Sequence, residues 1–176
     1  MADDLPHRSS DEDELRALSV AYADAADSRD GVAMASLFVD DGALVVPDYP
    51  ADLRPVVTRR GHDALQRIPE ALRRYRRTFH LVGSTSFVVD GDRATGEVQC
   101  VAHHVAPAQG SAGGAGGPEA VGPGPARAGT DTVWFIRYRD RYRRSGPDWR
   151  FVRRELHLQW VEEHSVSLLA PPDDGP

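Results

Sequence analysis

The residues of this chain best able to do chemistry are polar side chains standing where a strand should be apolar. Successive side chains of a strand point to opposite faces. The segment Ala94 to Val105 therefore sorts into Ala94, Gly96, Val98, Cys100, Ala102 and His104 on one face, with Thr95, Glu97, Gln99 and His103 on the other. His104 ends the small, apolar, inward row, where an imidazole that titrates near neutrality can act as an acid or a base. In the segment Trp149 to Val161 one face reads Val152, Arg154, Leu156, Leu158 and Trp160. Arg154 is a cation among large apolar side chains. A buried unpaired charge is costly, so Arg154 needs a carboxylate or a bound anion, or an outlet to solvent at the end of the sheet.

Asp27 is a candidate partner, and it is itself out of place. It lies near the C-terminal end of the first helix, where the macrodipole disfavours negative charge by a few tenths to about 1 kcal/mol. On a helical wheel it sits at the edge of the buried face, which permits an inward carboxylate without demanding one. His80 opens a strand directly after an Arg-rich helix; its neighbours are apolar on both faces, so parity alone does not orient it. His103 and His104, being consecutive, cannot both ligate one metal from a regular strand. No HxH or HxxxH spacing occurs among the seven histidines. No metal site is expected.

The elements that must position these groups follow from periodicity. Leu15, Leu18, Tyr22, Ala25 and Ala26 recur at three- and four-residue steps, predicting an amphipathic helix from Asp11 to Ser28 that starts at Ser10. A second short helix spans about Val32 to Phe38, capped by Asp30 and stopped by Asp40-Asp41-Gly42. A strand from Ala43 to Pro47 follows, then a Pro- and Arg-rich loop over 48–61, then helical material from His62 to about Arg77 in which Pro69 kinks the helix or starts a fresh turn. Four strand-like segments close the chain: Phe79 to Val89, Ala94 to Val105, Thr130 to Arg143 and Trp149 to Val161. Asp90-Gly91-Asp92 and Ser145-Gly146-Pro147-Asp148 are hairpin signals between them. Helices first and an antiparallel meander afterwards predict an α+β fold with a pocket between helices and sheet.

The rest of the chain bounds the reading. Residues 1–10 read as a flexible start and 11–165 as one domain. The link 106–129 holds 8 Gly, 7 Ala and 4 Pro and reads as a mobile hairpin insertion, and 166–176 reads as a flexible tail. With 40% hydrophobic and 27% charged residues the composition is that of an ordinary soluble protein. A net charge of −6 argues against a dense basic face for duplex binding, so nucleic acid is not an expected partner. A lone Cys100, a start without a basic region followed by an apolar run, and no apolar stretch approaching about 18 to 20 residues together predict a cytoplasmic protein with no membrane span.

On particular residues the sequence resembles the SnoaL-like group of NTF2-like domains. They are Tyr22-Ala-Asp-Ala-Ala-Asp27, Leu37-Phe38 with Asp40-Asp41, Gly61 before a helix, Thr78-Phe-His80, and Val89-Asp90-Gly-Asp-Arg-Ala94. The closing Tyr138-Arg-Asp-Arg-Tyr142 and Trp149-Arg-Phe-Val-Arg-Arg154 complete the set. The resemblance spans roughly residues 11–161. It implies a cone-shaped curved sheet packed on N-terminal helices. The group includes scytalone dehydratase, a hexachlorocyclohexane dehydrochlorinase, ketosteroid isomerase and polyketide cyclases. By that resemblance Asp27 and His80 form a catalytic dyad, Arg154 joins them, and a second pocket histidine falls at His104, offset by about a residue so that His103 stays open; parity favours His104.

The resemblance further implies a small-molecule lyase, a dehydratase acting on a hydroxylated carbonyl compound of polyketide-like secondary metabolism. The alternatives are a cyclase, an isomerase, or a non-catalytic ligand-binding module. His80 would take a proton beside a carbonyl, Asp27 would fix the imidazole tautomer, and His104 or a tyrosine would protonate the departing hydroxyl. Arg154 would stabilise the developing enolate or hold the Asp27 charge. Tyr22, Tyr49, Trp134 and Trp160 are the candidate substrate walls. No cofactor is expected. The partners expected are a hydrophobic small molecule and further copies of the chain, as a dimer or trimer.

Overall fold

The computed structural model describes residues 10–107 and 127–168. The expected flexible start and the Gly/Ala/Pro insertion fall almost entirely outside these residues, as does the expected tail from residue 169 onward.

Helix α1 (Asp11–Asp27) begins on a capping box: Ser10 Oγ accepts from the Asp13 amide while the Asp13 carboxylate reaches back to Ser10. Its first turn is wholly acidic, which suits the positive end of the helix dipole. Leu15, Leu18, Tyr22, Ala25 and Ala26 are buried, as the spacing predicts. Helix α2 (Gly31–Ser36) is capped by Asp30, whose carboxylate accepts from the Ala33 amide at 2.8 Å. It stops at Ser36, earlier than expected, and Asp40, Asp41 and Gly42 lie inside the next strand. Gly42 sits in a tight irregularity there, where a Cβ would come 2.8 Å from the Val39 carbonyl oxygen.

Among the described residues six strands form one sheet: β1 (Phe38–Asp48), β2 (Asp52–Arg60), β3 (Arg77–Asp90), β4 (Arg93–Pro107), β5 (Arg127–Ser145) and β6 (Asp148–Leu168). Their spatial order is β2-β1-β6-β5-β4-β3; β1 and β6 run parallel and every other pair is antiparallel. The helices α3 (His62–Gln66) and α4 (Ile68–Ala71) and a 3₁₀ turn (Leu72–Arg74) cross from β2 to β3. Pro69 occupies the first turn of α4, so it starts a fresh helix. The sheet curls over α1 without closing, giving the α+β cone of NTF2-like proteins.

Three differences from the expected elements have physical reasons. The Pro- and Arg-rich stretch contains the edge strand β2; its ladder to β1 shifts register around Pro47 and Pro55, the irregularity that edge strands tolerate and that hides a period-2 pattern. Val166 to Leu168, read as tail, pair with β5. Strand β6 carries two β-bulges, since Phe151 pairs with Tyr142 but Arg153 with Arg141, and Leu158 pairs with Ile136 but Trp160 with Phe135. Each extra residue, Val152 and Gln159, shifts the alternation by one. Phe151 is thereby buried in the core, and Trp160 is turned outward at 50% exposure, stacked on Phe135 at 4.2 Å.

Candidate active site

The C-terminus of α1 meets the start of β3 through one carboxylate. Asp27 Oδ1 lies 2.7 Å from His80 Nδ1, and Asp27 Oδ2 accepts the His80 backbone N–H at 2.8 Å. That amide lies on the sheet edge, on the side β4 does not occupy. Thr78 Oγ1 donates to Asp27 Oδ1 at 2.7 Å. Arg29 in turn donates to Thr78 Oγ1 at 2.5 Å and to the carbonyls of Ala26 and Asp27 at 2.8 and 3.1 Å. Arg29 therefore brings a cation to the helix C-terminus, where the dipole favours one, and it adopts the left-handed φ of 63° to do so.

Asp27 thus has the compensation that its helix position demands. Burial pushes its carboxyl up, but the hydrogen bonds from His80 and Thr78 outweigh this and hold it below the usual carboxylate range. An ionised Asp27 accepts from Nδ1 of His80, so Nδ1 carries a proton and, in the neutral ring, Nε2 is the nitrogen with the lone pair. The His80 side chain is 7% exposed.

His104 faces inward and is 3% exposed, whereas His103 faces the outer side of the sheet, its Nδ1 2.6 Å from Asp131 Oδ2. The His80 and His104 rings meet edge to face with centroids 5.7 Å apart. His104 Nδ1 lies 3.2 Å from the Thr132 carbonyl oxygen, which only accepts, so Nδ1 is the protonated nitrogen. Burial and the neighbouring His80 push the His104 pKa down to about 4. At neutral pH its Nε2 is an acceptor and has no proton to give. The expected role of His104 as proton donor to a leaving group does not fit this geometry.

These rings line a cavity of about 450 Å³ between the sheet and the helices. Its wall includes Tyr22 and Ala26 of α1, Leu44 and Val46 of β1, Trp134, Ile136 and Tyr138 of β5, and Leu156 of β6. Ile68 and Leu72 close it from the helical side, and Tyr49 stands on the wall 5.2 Å from the Trp134 ring. Of the four predicted aromatic walls, Tyr22, Tyr49 and Trp134 are in place and Trp160 is not, because the bulge at Gln159 puts it on the outer face. The Trp134 indole N–H is buried without an acceptor among the described residues. Asp48, Arg59, Arg67 and Arg74 line the cavity while remaining exposed, and so stand at its mouth.

Arg154 is also elsewhere. It is 1% exposed and bidentate to Asp140, with Nε to Oδ1 and Nη2 to Oδ2 both at 3.0 Å, and Tyr142 donates to the same carboxylate at 2.8 Å. Its guanidinium lies over the rings of Tyr22, Tyr138 and Phe151 at 4.0 to 4.4 Å. Burial pushes the Asp140 carboxyl up, against the pull of Arg154 and Tyr142, while the Arg154 guanidinium keeps its proton. The anion that Arg154 needs is Asp140, its cross-strand neighbour, and the expected constellation of Asp27, His80 and Arg154 does not form. Asp140, Thr78 and Arg29 went unassigned in the sequence. Alternation along β5 from Trp134 through Ile136 and Tyr138 places Asp140 inward and was the signal available for it.

A family model described as the SnoaL-like domain matches residues 7–155. The chain belongs to the SnoaL-like family. Among solved structures it is similar to an NTF2-like protein with a cystatin-like fold from Novosphingobium aromaticivorans: 26% identity over 85% of this chain and 82% of that one, TM-score 0.56. A scytalone dehydratase-like protein from the same organism has 18% identity over 94% and 95%, TM-score 0.63. Hexachlorocyclohexane dehydrochlorinase LinA-type3 from Novosphingobium barchaimii has 13% identity over 92% and 94%, TM-score 0.66. The last two likenesses show the fold alone. No curated protein matches the sequence. The SnoaL-like family includes dehydratases and isomerases, a small-molecule lyase or isomerase family. No helix among the described residues is long and apolar enough to cross a membrane.

Proposed function

We propose that this SnoaL-like protein is a cofactor-independent dehydratase acting on a small hydroxylated carbonyl compound, with His80 as the base and Asp27 as its positioning partner. One observation carries the reading: a 2.7 Å Asp27–His80 contact whose free imidazole nitrogen belongs to a side chain lining the cavity between sheet and helices. Such a nitrogen is a general base held in one tautomer, and a positioned base is worth roughly 10²- to 10⁴-fold in rate.

His80 Nε2 takes the proton from the carbon beside the carbonyl. The electron pair left behind forms the C=C bond as the C–O bond to the hydroxyl breaks. The imidazolium then returns its proton to the departing oxygen, which leaves as water, so one side chain serves as base and then acid. Asp27 stabilises the imidazolium between the two transfers. His104 Nε2, an acceptor, takes a hydrogen bond from a substrate hydroxyl and so orients the ring. The cavity volume lies within the range of pockets that bury drug-sized ligands.

Incubation of the wild type and of His80→Ala with hydroxylated ring ketones tests the reading. It requires loss of turnover in His80→Ala with ligand binding kept; turnover that survives the substitution sinks it. We further infer that a second copy covers the outer sheet face, where Phe79, Leu81 and Trp160 stand half exposed.

A further inference from the structure

All 21 basic residues of this acidic chain are arginine, and three of them, Arg59, Arg67 and Arg74, line the same cavity as His80. They come from three elements: Arg59 from β2, Arg67 from the junction of α3 and α4, and Arg74 from the 3₁₀ turn. None has a carboxylate within ion-pair distance among the described residues, although Asp48 lines the same mouth. Arg74 is held over the Tyr75 ring at 4.8 Å, and that ring packs 4.9 Å from His104. The Arg74 charge helps to keep His104 unprotonated, behind the larger effects of burial and His80.

The interior beyond the mouth offers no place for a substrate charge. Its wall is Ala26, Leu44, Ile136 and Leu156 among aromatic rings, and the nearest buried cation, Arg154, is occupied by Asp140. An ion entering this cavity keeps its charge at the rim, where guanidinium forks match carboxylate geometry.

We propose that the substrate is amphipathic: a hydroxylated ring end that reaches His80 and His104, and a carboxylate held at the mouth by Arg59, Arg67 and Arg74. This rests on the reading of the cavity as the substrate site and narrows the substrate class to ring-bearing acids. The chain as a whole carries a charge of −6 and repels anions at long range, so a preference for the acid has to arise locally.

The probes are 6-hydroxy-2-naphthoate and its methyl ester, identical in ring and hydroxyl and different in charge, titrated into the full-length protein by calorimetry. The acid is expected to bind roughly five- to tenfold more tightly than the ester at low ionic strength, the ratio shrinking towards one by about 0.5 M NaCl. Arg59→Gln/Arg67→Gln/Arg74→Gln should abolish the ratio while leaving the ester's affinity within about twofold. Arg93→Gln, a single substitution of the same kind at the β3–β4 turn, away from the cavity, should keep it. The thermal midpoint serves as the fold control. Equal binding of acid and ester, no saturable binding of the acid, or a preference that survives the triple substitution each overturn the proposal. His80→Ala should retain the acid preference, so a failure of the dyad chemistry and a failure of the arginine mouth are read from different variants.

Discussion

His104 Nδ1 and the Thr132 carbonyl oxygen lie 3.2 Å apart, and this single contact fixes which proton the buried imidazole keeps. Its folded pKa of about 4 lies below the ordinary 6.5 of a histidine. Between these values the unfolded chain binds more protons than the folded one, so stability rises with pH. The contribution is complete above pH 6.5 and is lost as pH falls towards 4. Between pH 7 and pH 5 the wild type should lose about 2 kcal/mol of unfolding free energy from this group, a loss absent in His104→Phe. Urea midpoints at the two pH values measure it; equal pH dependence in both proteins contradicts the assignment.

Asp27→Asn tests the dyad from the other side. An amide cannot accept from both the ring and the backbone of His80 while also accepting from Thr78. The variant should lose at least about a hundredfold in kcat. It should also lose some stability, roughly 1 to 3 kcal/mol, because the His80 amide is left without its acceptor. Steady-state kinetics alongside thermal unfolding separate the two effects.

Thr78→Val keeps the shape of the side chain and removes one donor to Asp27. A hydrogen bond to a charged group contributes about 1.5 to 3 kcal/mol, so kcat should fall by roughly ten- to a hundredfold with KM little changed. Thr78→Ser should restore most of it. Failure of serine to rescue argues that Thr78 acts by packing alone.

The pair Arg154–Asp140 should matter to folding rather than to substrate. Arg154→Leu or Asp140→Asn each leaves one buried partner uncompensated and should cost about 3 to 5 kcal/mol. The double change Arg154→Met/Asp140→Leu should recover most of that loss, since an apolar pair of similar volume needs no ion. Chemical denaturation of the three variants reads the outcome. A KM effect without destabilisation in Arg154→Leu would return Arg154 to the substrate site.

Trp160→Glu should shift the protein to monomer at micromolar concentration in light scattering, if outer faces pair. Unchanged mass for wild type and variant alike removes the second-copy inference.

Much of this was readable in the sequence where one rule acted alone. Alternation along β4, a strand without bulges, put His104 inside and His103 outside. The spacing of Leu15, Leu18 and Tyr22 set the buried face of α1, and Gly91 and Gly146, at φ of 55° and 64°, make the two turns their sequences announced. The misses arose where two elements had to be known together. Bulges in β6 are set by its partner β5, and nothing local to Leu158-Gln159-Trp160 announces the extra residue. Asp140 was assignable from alternation, but its pairing with Arg154 depends on a register that a single strand does not carry. Arg29 and Thr78 matter only because α1 ends against β3. The mouth arginines come from an edge strand, a helix junction and a 3₁₀ turn, and only the fold brings them to one cavity.

Asp27 holds the ring of His80 with one oxygen and the backbone of His80 with the other. The base of the proposed reaction and the weather-side amide of the sheet are therefore inherited as a unit. Descendants of this sequence that abandon the chemistry by changing Asp27 also uncover a strand edge, where another chain could add itself. They must supply a new cap for β3 in the same evolutionary step or tolerate a stickier protein.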